Sequence, residues 1–240
     1  MAQLELPTVV ILCGGRGTRL QTGSKPLPKP LVEIGGSPVV WHVIQLYAGQ
    51  GFGDFVLLTG HRGNEIEAFV EQADWPEGIS VRCLDTGEDT PTGGRVHLAV
   101  KALGPKPLCV TYADGVSDVD LQQVLRDLDD KRASAVVTVV RPELPFGVAR
   151  LDGEWITGFE EKPLSQDWIN GGFMAFSSDA LQTIGPEEVL ERGPLERLAA
   201  EGSLKAHKHE GFWFCMDTYK DQVALNDLWE DGNPPWRNWN

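Results

Sequence analysis

The chain has 240 residues, of which 21 are basic and 35 acidic, and a formal charge of -14. That balance excludes a protein that binds nucleic acid chiefly through its phosphates, because such proteins carry an excess of Lys and Arg. With 41 % hydrophobic and 23 % charged residues it is neither disordered nor fibrous, and a chain of this length buries about 70 % of its surface, enough for a core without disulfides or structural metal. Small anionic substrates fit only if the few basic residues gather at one place.

Short apolar runs alternate with amphipathic segments through the first two-thirds of the chain, the rhythm of strands and helices in turn. Val9, Val10, Ile11, Leu12 and Cys13 form a β-rich run that leads into Gly14 and Gly15. Ser37 reads as an N-cap with Pro38 at the first helical position, and Val39, Val40, Val43, Ile44 and Leu46 follow at helical spacing until Gly49 and Gly51. Residues 55–58 read as a second buried strand. Asn64 and Glu67 have capping-box spacing before Ile66, Phe69 and Val70. A strand at 81–84, a helix over about 95–103, a strand at 108–110, a helix capped by Asp120 and a buried run at 135–140 complete the alternation. Asp152, Gly153 and Glu154 then mark a hairpin turn, and a last helix spans about 218–229.

Such alternation predicts an α/β fold with a Rossmann-like, doubly wound mixed sheet in a single domain, its site at the carboxyl ends of the strands. The four cysteines, Cys13, Cys83, Cys109 and Cys215, have neither redox nor zinc-ligand spacing, and three lie in apolar runs. They read as reduced core residues of a cytoplasmic protein. The apolar run at 9–13 is too short for a signal peptide or a membrane span, so no membrane association is expected.

Chemistry concentrates early. Gly14, Gly15, Arg16, Gly17, Thr18 and Arg19 directly follow the first strand, where glycines let backbone N–H groups approach a phosphate and Arg19 adds a fork of donors. The run is neither a Walker A loop nor a GxGxxG fingerprint, and alone it is as well explained by a tight turn. Lys29 follows between Pro28 and Pro30, which stiffen the chain around its ammonium. Taken singly, Asp114 after a strand reads as a turn or cap residue, His42 as a structural histidine on an apolar helix face, and Tyr112 as core.

Residues 12–20, Lys29-Pro30-Leu31 and residues 33–38 together resemble the signature of the sugar-1-phosphate nucleotidylyltransferases. The resemblance continues in order through Thr92-Gly93-Gly94-Arg95, residues 111–116, Phe146-Gly147, Glu160-Glu161-Lys162-Pro163, Asn170-Gly171-Gly172-Phe173 and residues 211–218. Within that superfamily the chain is most similar to the glucose-1-phosphate cytidylyltransferases, down to Leu228-Trp229-Glu230 and Pro235-Trp236. It departs from them in a short 69–84 stretch, in Arg16 where an apolar residue is usual, in Ala113 where the family has Gly, and in the bulky Trp168.

The resemblance implies transfer of a nucleotidyl group from CTP to a sugar 1-phosphate, most simply glucose 1-phosphate, with release of pyrophosphate and no covalent enzyme intermediate. It implies Mg²⁺ held by Asp114 and Asp217, with Arg19 and Lys29 on the triphosphate. Leu12, Gly14, Gly15, Gly17, Thr18, Thr92, Gly93 and Arg95 would surround the nucleotide. Asp114, Gly147, Glu161, Lys162, Asn170 and Gly171 would take the sugar phosphate. About residues 8–140 would then form the nucleotide part and 141–240 the sugar-phosphate part. The same chemistry with another nucleoside triphosphate or phosphorylated acceptor remains open, as does a non-catalytic nucleotide-sugar sensor; a dinucleotide-dependent oxidoreductase is disfavoured by the missing GxGxxG. A homo-oligomer is expected, with the tail tryptophans Trp229, Trp236 and Trp239 packed on their own subunit or across to a neighbour.

Overall fold

Val9, Val10 and Ile11 are wholly buried, and this β-branched run forms the central strand β1 (Thr8–Leu12). The computed structural model describes residues 6–16 and 27–239. After a 3₁₀ turn at Lys29–Leu31 come β2 (Glu33–Ile34), β3 (Ser37–Pro38), α1 (Val39–Ala48), β4 (Asp54–Thr59), α2 (Gly63–Gln72) and β5 (Ser80–Asp85). The chain continues through α3 (Thr92–Leu103), β6 (Leu108–Tyr112), β7 (Gly115–Ser117), α4 (Leu121–Leu128), β8 (Ala135–Val140), β9 (Val148–Asp152) and β10 (Trp155–Glu160). It ends with β11 (Ile169–Phe176), α5 (Ser178–Gln182), α6 (Pro194–Ala200), β12 (Leu204–Lys208), β13 (Trp213–Cys215) and α7 (Tyr219–Glu230).

Seven strands form one mixed sheet in the order β12-β8-β11-β6-β1-β4-β5. β6, β1, β4 and β5 run parallel, while β11 is antiparallel to both β6 and β8. The chain winds from β1 to β4 on one side and returns to β6 on the other, so the order reverses between β1 and β6. A crevice forms outside strand ends at such a switch point. Alternate residues of β1 face opposite layers: Val9 and Ile11 join α1, α2 and α4, whereas Val10 joins α3, α5 and α6.

Two predicted helix starts are corrected. Ser37 does not cap α1; Ser37 and Pro38 pair with Glu33 and Ile34, and the Val39 N–H donates to the Val32 carbonyl at 2.8 Å, so a ladder bond takes the place of the cap. Asn64 likewise lies inside α2, which follows Arg62 in a left-handed conformation at φ 53° without a side-chain cap. Asp120 does cap α4, accepting from the Gln123 N–H, and Thr218 caps α7 in a reciprocal capping box with Asp221.

The tail packs on its own subunit. Trp236 is fully buried, stacks on Phe212 with centroids 5.6 Å apart, and donates its indole N–H toward His42 Nδ1. Trp239 meets Trp41 edge-on, and Asn238 Nδ2 donates to the Leu46 carbonyl. His42 Nε2 lies 2.8 Å from the Ile34 carbonyl; burial pushes its pKa down to about 4, so the ring is a neutral structural histidine. All four cysteines are free, and burial pushes Cys109 up to about 12.

Candidate active site

β7 and β13 pair antiparallel with Gly115 opposite Cys215, which sets the residue before β7 beside those after β13. The Met216 N–H donates to the Asp114 carbonyl at 2.9 Å, and Asp217 follows at the threshold of α7, where the Asp221 carboxylate accepts from the N–H groups of both Asp217 and Thr218. Two carboxylates 103 positions apart in sequence thus converge through one short ladder. The proline-flanked Lys29 reaches between them, donating to Asp114 Oδ2 at 2.5 Å and Asp217 Oδ1 at 2.6 Å. Burial lowers the Lys29 pKa, but attraction to Asp114 and the hydrogen bonds to both carboxylates outweigh it, and the net shift is upward.

Two cavities meet at Asp114 and Tyr112. The larger, about 510 Å³, lies off the ends of β1 and β6 and is lined by Leu12, Gly14, Gly15, Lys29, Thr92 and Arg95 among others. Arg95 organises its floor. The buried guanidinium donates to the carbonyls of Gly14, Thr59, Gly87 and Glu88 and to the Thr86 hydroxyl, tying the β1 loop to the loop after β5. A Cβ at Gly14 would lie 2.1 Å from that guanidinium, so a side chain there would have to displace it from its carbonyls. Arg95 therefore shapes the cavity through backbone contacts rather than offering free donors to a ligand.

Thr92 is also engaged: its hydroxyl accepts from the Leu190 N–H and donates to the Glu191 carboxylate at 2.8 Å. Gly93 faces away from the cavity, pressed against the Glu188 carbonyl, where a Cβ would lie at 2.5 Å. At the mouth, Arg16 donates to Asp89 at 2.8 Å. Gly17, Thr18 and Arg19 lie outside the described residues.

The second cavity, about 350 Å³, is lined by Asp114, Asn170, Gly171, Trp213, Cys215 and Asp217 among others. A break in the β11 register between Asn170 and Met174 aims this turn into it, with Gly172 at φ 76° and Phe173 at φ 46°. The Asn170 side chain accepts from the Gly172 N–H and donates to the Tyr112 hydroxyl, which in turn donates to Glu191. Trp213 donates its indole N–H to the Gly171 carbonyl at 2.8 Å. Sequence reading assigned Tyr112 to the core and overlooked Glu191, since a glutamate that meets Tyr112 and Thr92 only through the fold leaves no local signal.

Asp114, Asn170 and Gly171 are thus together, whereas Gly147, Glu161 and Lys162 stand apart on an exposed hairpin. Gly147 lies under the Phe159 ring and beside the Glu161 carboxylate. Neither Glu161 nor Lys162 lines either cavity, and Lys162 adopts a left-handed φ of 47°.

Asp114, Cys215 and Asp217 each offer one donor atom, all within 4.8 Å of one another. Burial, followed by the charge of Asp114, pushes the Cys215 thiol up to about 12, while Asp114 and Asp217 supply carboxylate oxygens. Hard oxygen donors fit a hard divalent cation, and the Lys29 ammonium between them shows that the pair accommodates positive charge.

A mixed sheet with a crevice at its switch point, and a carboxylate pair beside a mostly buried lysine, fit a protein of the nucleotide-transferring class. The nucleotidyl transferase family model matches residues 8–231, and the chain belongs to that family, whose members generally work with a divalent metal. It is 33 % identical to a probable glucose-1-phosphate cytidylyltransferase of Bacillus subtilis (strain 168), over 96 % of this chain and 99 % of that protein. It is 34 % identical to a glucose-1-phosphate cytidylyltransferase of Salmonella typhi, over 96 % and 98 % respectively. The crystal structure of HddC from Yersinia pseudotuberculosis shares the fold at a TM-score of 0.73 and 22 % identity, covering 93 % of this chain and 100 % of that one.

Proposed function

We propose that this protein couples CTP to glucose 1-phosphate, giving CDP-glucose and pyrophosphate. The near-full-length similarity to glucose-1-phosphate cytidylyltransferases supports the substrates, and Lys29 held between Asp114 and Asp217 where the two cavities meet is the observation that carries the chemistry. A phosphate oxygen of the sugar forms the new bond to the α-phosphorus of CTP as the bond to pyrophosphate breaks. The task is to bring two polyanions together, which preorganised cations make possible.

In this reading the larger cavity takes the nucleotide. Backbone at Gly14 and Gly15 faces the triphosphate, and Gly17, Thr18 and Arg19, next in sequence, are assigned to bind it. Leu12, Thr92 and Arg95 bound the cavity, and Gly93 serves it only by packing α3. Lys29 stabilises charge on the transferring group. Asp114 and Asp217 would hold Mg²⁺, which supplies charge neutralisation between the two phosphates when bound. Asn170 and Gly171 shape the acceptor cavity, and the hairpin bearing Gly147, Glu161 and Lys162 supplies contacts to the sugar phosphate. Residues of about 8–140 serve the nucleotide and about 141–240 the acceptor, in a cytoplasmic enzyme.

Pyrophosphate release across a grid of nucleoside triphosphates and sugar phosphates tests this. With Mg²⁺, CTP and glucose 1-phosphate should be the fastest pair and should stop when the metal is chelated. A faster pair, or no release from any, would overturn the substrate assignment.

A further inference from the structure

Glu191 lies in the loop between α5 and α6 and lines neither cavity, yet both of its carboxylate oxygens bond to residues that do. One accepts from the hydroxyl of Thr92, in the wall of the larger cavity, at 2.8 Å. The other accepts from the hydroxyl of Tyr112, which lines both cavities. The loop does not need this carboxylate to stay in place. Its backbone is held by the Gly94 N–H on the Glu188 carbonyl, the Leu190 N–H on the Thr92 hydroxyl and the Leu195 N–H on the Leu190 carbonyl, and the Leu190 side chain is fully buried.

The bonds that leave Glu191 through Tyr112 form a chain with one direction. A carboxylate accepts and does not donate, so Tyr112 donates to it, which leaves the phenol oxygen to accept from Asn170 Nδ2 at 3.1 Å. With its nitrogen committed there, Asn170 turns Oδ1 to the Gly172 N–H at 2.9 Å. The chain ends in the turn of β11 where Gly172 and Phe173 hold positive φ and whose Asn170 and Gly171 line the smaller cavity. Reversing the chain would flip the Asn170 amide and set its NH₂ against the Gly172 N–H, two donors with no acceptor between them. One carboxylate thus fixes the polarity of a network that reaches from the wall of one cavity to the wall of the other.

We infer that Glu191 is a positioning residue for the transfer reaction: through Tyr112 it fixes the 170–173 turn that shapes the acceptor cavity, and through Thr92 it holds the wall of the nucleotide cavity. This role rests on the reading of the two cavities as nucleotide and acceptor sites. A carboxylate turned toward either substrate would repel its phosphates. Both oxygens of Glu191 are instead engaged by hydroxyls of the protein, so its charge orients the walls without meeting the anions.

Steady-state kinetics on the full chain test it, with whichever substrate pair proves fastest in the unmodified protein. An error in the substrate assignment then shows in the unmodified protein, and a failure of the Glu191 role shows in the variants. Glu191→Ala should raise the acceptor KM by roughly 10–100-fold, the scale of a lost hydrogen bond to a charged group, with a smaller fall in kcat. Tyr112→Phe should raise it comparably, and the double variant by no more than the larger single change, because both break one chain. An unchanged acceptor KM in Glu191→Ala, whether or not the melting temperature falls, would make the residue structural only and overturn the inference. Effects that multiply in the double variant would separate Glu191 from Tyr112 and overturn it too. Hydrogen exchange of the ligand-free protein reads the same chain without substrate. Amides of residues 171–173 should exchange faster in Glu191→Ala while those of β1 keep their protection; unchanged exchange at the turn would contradict the role whatever the substrates are.

Discussion

The carboxylate–lysine centre and the β9–β10 hairpin arm would both face the sugar phosphate, yet they are built in opposite ways. Lys29 has only 16 % of its side chain exposed, and the carboxylates on either side of it are fixed by a backbone ladder and a helix cap. Behind it, the Arg95 donors are taken by the protein itself. The arm keeps large apolar side chains in solvent, and its base is closed by a bridge between Glu143 and Leu164. Charge placement is thus preorganised by the core, where a misplaced group would cost transition-state stabilisation, while the acceptor-side contacts proposed for Gly147, Glu161 and Lys162 would come from an exposed hairpin.

The heaviest loss is expected at the rigid centre. Asp114→Asn should reduce turnover by roughly 10³-fold or more, the several kcal/mol that cation-mediated charge stabilisation supplies, with the melting temperature near normal. Near-normal turnover would show that the centre is no more catalytic than the arm. Trp236→Ala should cost about 3–5 kcal/mol of stability by emptying a fully buried indole site. Because Trp236 lines neither cavity, denaturant titration should show the loss while kcat at permissive temperature holds.

Lys29→Ala should lower kcat by roughly 10²–10³, about 2.7–4 kcal/mol for a lost preorganised donor. A rise in KM alone would mean that Lys29 supplies uniform binding. The mildest change is a pH dependence. Burial holds His42 near a pKa of about 4 against 6.5 for the free ring. The unfolded chain therefore takes up the proton first, so stability is full above pH 6.5 and declines toward pH 4, by roughly 3 kcal/mol across the window. Thermal melts of His42→Gln should lose that part of the decline, and an unchanged profile would remove His42 as its source.

The succession of strands and helices up to Val140 was legible because buried β-branched runs alternate with amphipathic segments, and the Asp120 cap and the start of the last helix near Thr218 followed from residue type and position. Ser37 and Asn64 misled because a two-residue ladder and a left-handed Arg62 took over functions that local spacing gives to caps. Asp114, Asp217 and Lys29 were named from motif order, but their convergence depends on the β7–β13 register, which no local pattern encodes. Thr92 and Arg95 were read as ligand contacts, and the fold reveals what else holds them, since two of the carbonyls Arg95 binds, those of Gly14 and Thr59, belong to segments far away in sequence. The hairpin turn at 152–154 was legible, but its exposure was not, because its alternation looks like that of any half-buried hairpin; among the described residues no layer covers it.

Whether Asp114 and Asp217 form a cation site, held by Lys29 when no metal is bound, is decided by Mn²⁺ titration of the full chain, followed by electron paramagnetic resonance at physiological salt. Asp114→Asn and Asp217→Asn should each weaken binding at least ~10-fold, the loss of one carboxylate from a two-carboxylate site. Lys29→Met should tighten it, because the metal no longer has to displace an ammonium. Unchanged affinity in both Asn variants, or weaker binding in Lys29→Met, would refute the cation site.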